Sequence, residues 1–124
     1  MIDFKNSSFI KLKKDRTSRE SEVRPLLIPG ERVIGSYTAM RDYLVFTDKR
    51  IISVNVQGFT GAKKDYTSLP YSKVSVFSVE TAGTFDLDSE LELYFSGVGK
   101  VKFEFSGASD IVAIGQAISC YVLG

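Results

Sequence analysis

Histidine is absent from this 124-residue chain, and cysteine occurs once, at Cys120. Without histidine the usual general base is missing, as is every Ser–His or Cys–His nucleophile pair. One cysteine and no imidazole cannot complete a tetrahedral zinc site of nitrogen and sulfur ligands. No disulfide can form within the chain, which fits a reducing compartment. Cys120 itself falls near the end of an expected helix and reads as a small buried apolar residue. No apolar run reaches the length of a membrane span, and the N-terminus lacks the apolar stretch and cleavage site of a secretory signal. The expectation is a cytoplasmic protein with no metal and no cofactor.

Strong charge of either sign is lacking too. The formal net charge is +1, so bulk electrostatics demand neither nucleic acid nor an anionic membrane. The distribution is uneven, with residues 1–20 at +3 and the remainder at −2. Internal repeats and low-complexity segments are absent, and the length suits one domain with a single modest core.

What is present is β-strand pattern. Residues 42–56, DYLVFTDKRIISVNV, read as two strands joined by a polar Thr47-Asp48-Lys49-Arg50 corner. In the second strand Ile52, Val54 and Val56 alternate with Ser53, Asn55 and Gln57, which assigns one buried and one polar face. The first strand has no polar face, with Tyr43 and Val45 on one side and Leu44 and Phe46 on the other. Such a strand needs cover on both sides. Residues 74–81 repeat the problem, since Val74 and Val76 point one way and Phe77 and Val79 the other. Either a bulge re-aims part of that strand, or its outer face meets another subunit.

The remaining segments follow from local signals. Residues 1–16 interleave Phe4, Phe9, Ile10 and Leu12 with lysines, show no clean period, and read as a flexible basic arm. The alternative for this arm is an amphipathic segment on a membrane surface or a neighbour. Thr17 and Glu20 have capping-box spacing, so a short helix is expected from Ser18 and should stop at Pro25. Pro29-Gly30 signals a type II turn before a strand over 32–40. Gly58-x-x-Gly61 followed by two lysines fits a hairpin connection better than a phosphate cradle, because the P-loop spacing is not met. Strands are expected over 65–69, 91–95 and 101–105, the first at an edge because of Pro70. Asp86, Asp88 and Glu90 share one face of extended chain. Without the glycine and bidentate acid of a calcium loop, they read as a solvated or subunit-contacting acidic face. Ser109 is the expected N-cap of a helix whose core stripe is Ile111, Ile114, Ile118 and Val122.

About seven strands followed by one helix make a small antiparallel barrel or sandwich, mainly β, capped by a C-terminal α-helix. Four stretches carry the identification further: LLIPGERV (26–33), RDYLVFTDKRIISVNVQGFTGAKKDY (41–66), LPYSKV (69–74) and FSVETAGTFDLDSELEL (77–93). They closely resemble the bacterial pleckstrin-homology-like domain family, from about Glu22 to Leu123. The resemblance implies a PH-like domain over 17–124, with 1–16 outside it. It further implies a non-enzymatic module assembling into cyclic rings, five-fold in single-domain members, with a hydrophilic surface where strands of neighbouring protomers meet. By position, Arg41, Asp42, Thr47, Asp48, Lys49, Arg50, Glu80, Thr84, Asp86 and Asp88 are candidates for a surface that recruits a protein partner. Tyr43, Val45, Val74 and Val76 are the candidates for the contact between copies. The tight, nearly neutral connection around Met40-Arg41-Asp42 departs from the basic loop of phosphoinositide-binding relatives in eukaryotes. The competing expectation is a peripheral membrane adaptor acting through the basic arm.

Overall fold

The computed structural model describes residues 1–5, 8–107 and 109–124, with Ser8 described by its backbone alone. Eight strands form one curled sheet: β1 (Ser8–Lys14), β2 (Val33–Ala39), β3 (Asp42–Thr47), β4 (Arg50–Gln57), β5 (Lys63–Pro70), β6 (Val76–Glu80), β7 (Ser89–Phe95) and β8 (Gly99–Phe105). Their order is β5-β4-β3-β2-β1-β8-β7-β6, so β5 and β6 are the two sheet ends. Every pairing is antiparallel except β1 with β8. Among the described residues two α-helices accompany the sheet, α1 (Glu20–Val23) and α2 (Ile111–Leu123).

The eighth strand is the main correction to the sequence reading. Residues 8–14, expected in a flexible arm, lie in the middle of the sheet as β1, joining its two halves. Phe9 and Leu12 are both buried in the core. Their spacing of three hid them, because a strand normally repeats every two residues. A register shift between Phe9 and Leu12, with Lys11 at a φ of 58°, inserts the extra residue that returns Leu12 to the core, while Ile10 faces outward. The independent arm and the boundary at residue 17 are therefore withdrawn.

The concave face of the sheet holds the main core. Leu44, Phe46 and Ile51 from the β3–β4 hairpin meet Leu91, Leu93, Val101, Phe103 and Phe105 from β7 and β8. Ile111, Ile114 and Ile118 of α2 close it, as their spacing predicted. The helix starts one residue later than expected: Asp110 is the N-cap, accepting from the Ala113 N–H at 3.1 Å. Cys120 is exposed on α2, not buried.

A second, smaller apolar cluster sits on the opposite face of β3 and β4. Tyr43, Val45, Ile52 and Val54 lie under Val23 and Leu27, which come from α1 and the turn after it. Ile52 and Val54 thus belong to the outer cluster, and Ser53 faces the interior beside Leu44. The 15–32 segment is an Ω-shaped excursion between β1 and β2 that folds back over the sheet. Pro25 opens a single 3-10 turn, and Gly30, at a φ of 83°, completes the expected turn, with Glu31 N–H donating to the Ile28 carbonyl.

Candidate interaction surface

The polar candidates fall into three places. Arg41 and Asp42 occupy the β2–β3 turn, where they tie two hairpin tips together. Arg41 Nη1 donates to the Gly58 carbonyl at 2.8 Å, and Asp42 Oδ1 accepts from the Val56 N–H at 2.8 Å. Thr47 to Arg50 lie at the other end of β3, roughly 17 Å away along the strand.

This second group is a clamp. Thr47 Oγ1 accepts from the Lys49 and Arg50 N–H groups, both at 3.0 Å, and donates to Glu31 at 2.6 Å. Arg50 grips Glu31 with Nε and Nη2, each at 3.0 Å, and reaches the Leu26 carbonyl and Ser68 hydroxyl with the rest of its fork. Asp48 Oδ1 accepts from the Arg32 N–H, and Tyr71 Oη donates to the Thr47 carbonyl at 2.7 Å. Burial opposes charge on Glu31, but hydrogen bonds from Arg50, Thr47 and the Ile28 N–H outweigh it, holding the carboxyl below its usual range. Thr47, Asp48 and Arg50 thus pin the 15–32 segment, and Lys49 is the exposed member of the corner. At the other end of that segment Arg19 pairs with Asp15 and Glu22 and lies 4.3 Å over the Tyr43 ring.

Glu80, Thr84, Asp86 and Asp88 make the third place, on β6 and the segment leading to β7. Gly83 N–H donates to the Asp86 carbonyl at 2.7 Å and Asp88 N–H to Asp86 Oδ1 at 3.1 Å, so the segment has a defined local fold. Register aligns Glu80 with Glu90, and Glu90 with Glu104, across three strands. Glu104 is a member of this surface that sequence reasoning missed. Burial, together with the Asp88 and Glu90 charges, raises its carboxyl above the usual range. Its signal was the outward alternation of Lys100, Lys102 and Glu104, unusable for pairing before the register was known. Among the described residues no group of three or more acids and cysteines stands arranged to hold a metal ion.

The apolar candidates divide cleanly. Tyr43 and Val45 are buried beneath the chain's own 15–32 segment, which corrects their assignment as contacts between copies. Val74 is half-buried against the main core. Val76 is 62% exposed at the free edge of the sheet, with the outward Tyr94 as its cross-strand neighbour. Just beyond the strand Phe85 is 99% exposed and Leu87 is also turned to solvent. The β6 edge and the 81–88 segment therefore combine free strand backbone, apolar side chains and acids.

A curled, mostly antiparallel sheet closed by a C-terminal helix defines a PH-like domain. The chain belongs to the bacterial PH domain family, whose pattern it matches over residues 3–122. It is 51% identical over 78 residues to the uncharacterised protein YjqA of Bacillus subtilis (strain 168), a match covering 63% of this chain and 62% of YjqA. It is 32% identical to the uncharacterised YozO of the same organism, over 83% of this chain and 88% of that one. Among solved structures it is similar to a DUF1696 family protein with a pleckstrin-homology domain from Shewanella loihica PV-4. That likeness has a TM-score of 0.79 at 36% identity and covers 91% of this chain and 98% of the other. A pleckstrin homology domain from Shewanella amazonensis SB2B gives 0.67 at 39% identity, covering 89% and 94%.

Proposed function

We propose that the protein is a non-enzymatic scaffolding module: a cyclic homo-oligomer presenting a polar surface, at junctions between neighbouring copies, to a protein partner. The observation that carries this reading is the β6 edge, where Val76, Phe85 and Leu87 are exposed beside strand backbone that, among the described residues, has no neighbouring strand on its outer side. A strand edge of this kind is a template for pairing with another chain. The chain has a second sheet end at β5, and a head-to-tail contact between unlike edges closes into a ring when the rotation between copies divides a full turn. Closure would draw polar groups that lie apart in one copy toward a shared junction. The basic Arg41 and Lys49 would complement the acids from Glu80 to Glu104. Mass photometry at micromolar concentration is expected to give a discrete multiple of 13.7 kDa. The double variant Val76→Asp, Phe85→Asp is expected to give a folded monomer. A monomeric wild type overturns the ring.

One observation favours a second reading, peripheral membrane contact. The adjacent hairpin tips carry Met40 and Phe59, 101% and 108% exposed, beside Arg41, Lys63 and Lys64. This contact does not use the N-terminal segment, which would have to leave the sheet to act as an arm. Flotation with anionic liposomes, lost in Phe59→Asp and weakened by salt, would support it. Absence of flotation at low salt rules it out.

A further inference from the structure

Between β2 and α2 the chain leaves a cleft of about 330 Å³, within the range of small-ligand sites. Its origin is local. A register shift lies between Val33 and Gly35; Ile34, about half exposed, lines one side of the cleft, and Gly35 contributes no side chain. A Cβ placed on Gly35 would meet nothing within 4 Å. Across the cleft α2 presents Ala113 and Ala117, away from the isoleucine stripe that fills the core. Three small residues thus face one another where a helix and a sheet normally interlock at crystal-like density.

The floor is firm and apolar. Phe46 and Ile114 are buried, and the Tyr37 ring is fixed between Phe46 at 5.5 Å and Phe105 at 5.0 Å. The rim is polar, with Lys14 and Asp110 carrying opposite charges and Ser109 and Tyr37 supplying hydroxyls. One Asp110 oxygen already caps α2. The Tyr37 phenol, which burial and the Asp110 charge push above its usual range, is a hydrogen-bond donor at neutral pH as any tyrosine is. An anion would meet Asp110 and a cation would meet Lys14, so the rim favours neither. The floor rewards an apolar body and the rim a hydrogen-bonding head.

We propose that this cleft binds a small uncharged amphiphile, with an apolar body of one or two rings against Phe46, Ile114 and Tyr37 and a hydroxyl or amide head at the Tyr37–Ser109 rim. The site is separate from the β6 edge, so it stands whether or not copies assemble. The test titrates 2-naphthol into the full, isotope-labelled chain and follows backbone amide resonances. Saturable shifts are expected at Gly35, Tyr37, Ala113 and Ala117, with a Kd roughly millimolar or tighter for a probe of this size. Naphthalene-2-sulfonate, the same rings with a fixed charge, is expected to bind about tenfold more weakly. Ala117→Phe fills the cleft from the helix and should abolish saturation while leaving the remaining spectrum in place. Should that variant fail to fold, Gly35→Leu blocks the cleft from the sheet side, where the open space leaves room for a side chain. Shifts that never saturate overturn the proposal, as does unchanged binding to the blocked variant. Equal affinity for the sulfonate overturns the uncharged class.

Discussion

β3 and β6 pose the same question and receive different answers. Each carries apolar side chains on both faces, and each has its inner face in the main core. The outer face of β3 is sealed by Val23 and Leu27 from the 15–32 segment, which Arg19 and Arg50 hold down at its two ends. The outer face of β6 has no such cover: Val76 stands in solvent at the end of the sheet. An apolar face therefore announces a need for cover without saying who provides it. For β3 the provider is 20 residues upstream in the same chain; for β6 the proposed provider is another copy.

The largest expected effect breaks the β3 side. Glu31→Ala leaves the Arg50 guanidinium without its carboxylate at a mostly buried site, and loss of about 3 kcal/mol in urea denaturation is expected. An effect below about 1 kcal/mol would mean the Arg50 clamp does not hold the covering segment. Ile52→Ala empties part of the outer cluster and is expected to cost about 2–4 kcal/mol, again measured by urea midpoint. If it behaves like a surface change, the cover over β3 is loose in solution.

Acidity separates the two sides next, by sign. Glu31 has a lowered carboxyl pKa, so its contribution is present above the unfolded-state value and is lost as pH falls through the folded one. Glu104 has a raised pKa, so its contribution is greatest below the unfolded value and disappears as pH rises through the folded one. Glu104→Gln is therefore expected to raise the thermal midpoint slightly at pH 7 and to leave it unchanged at pH 3. A fall at pH 7 would show that the Glu104 charge is paired and not crowded by Asp88 and Glu90.

The smallest effect lies at the free edge. Val76→Asp should shift the stability of an isolated protomer by no more than about 0.5 kcal/mol, as for an ordinary surface position. The comparison sharpens if the same substitution also lowers the assembled mass, because edge contact and protomer folding are then independent. A large loss in the monomer would mean that Val76 is part of the fold.

β7, β8 and the core stripe of α2 were legible because their alternation maps directly onto one buried face, and the hairpin from 42 to 57 because two apolar runs flank a polar corner. The class of fold followed from them. β1 was not legible, because a bulge between Phe9 and Leu12 breaks the period that marks a strand. The polar candidates were visible as residue types, yet Thr47, Asp48 and Arg50 turned out to hold a segment that no local pattern connects to them. Glu104 alternates with buried residues along β8 like any solvent-facing strand position, and only register sets it against Glu90.

By itself, then, the sequence determined which residues alternate, where the chain must turn, and that imidazole chemistry is excluded. Tertiary structure decided which partner covers each apolar face, since burial is a non-directional demand that any nearby hydrocarbon can meet. It also decided where the charges meet, because Arg50 and Glu31 are neighbours only after an Ω-shaped excursion brings distant parts of the chain within hydrogen-bonding reach.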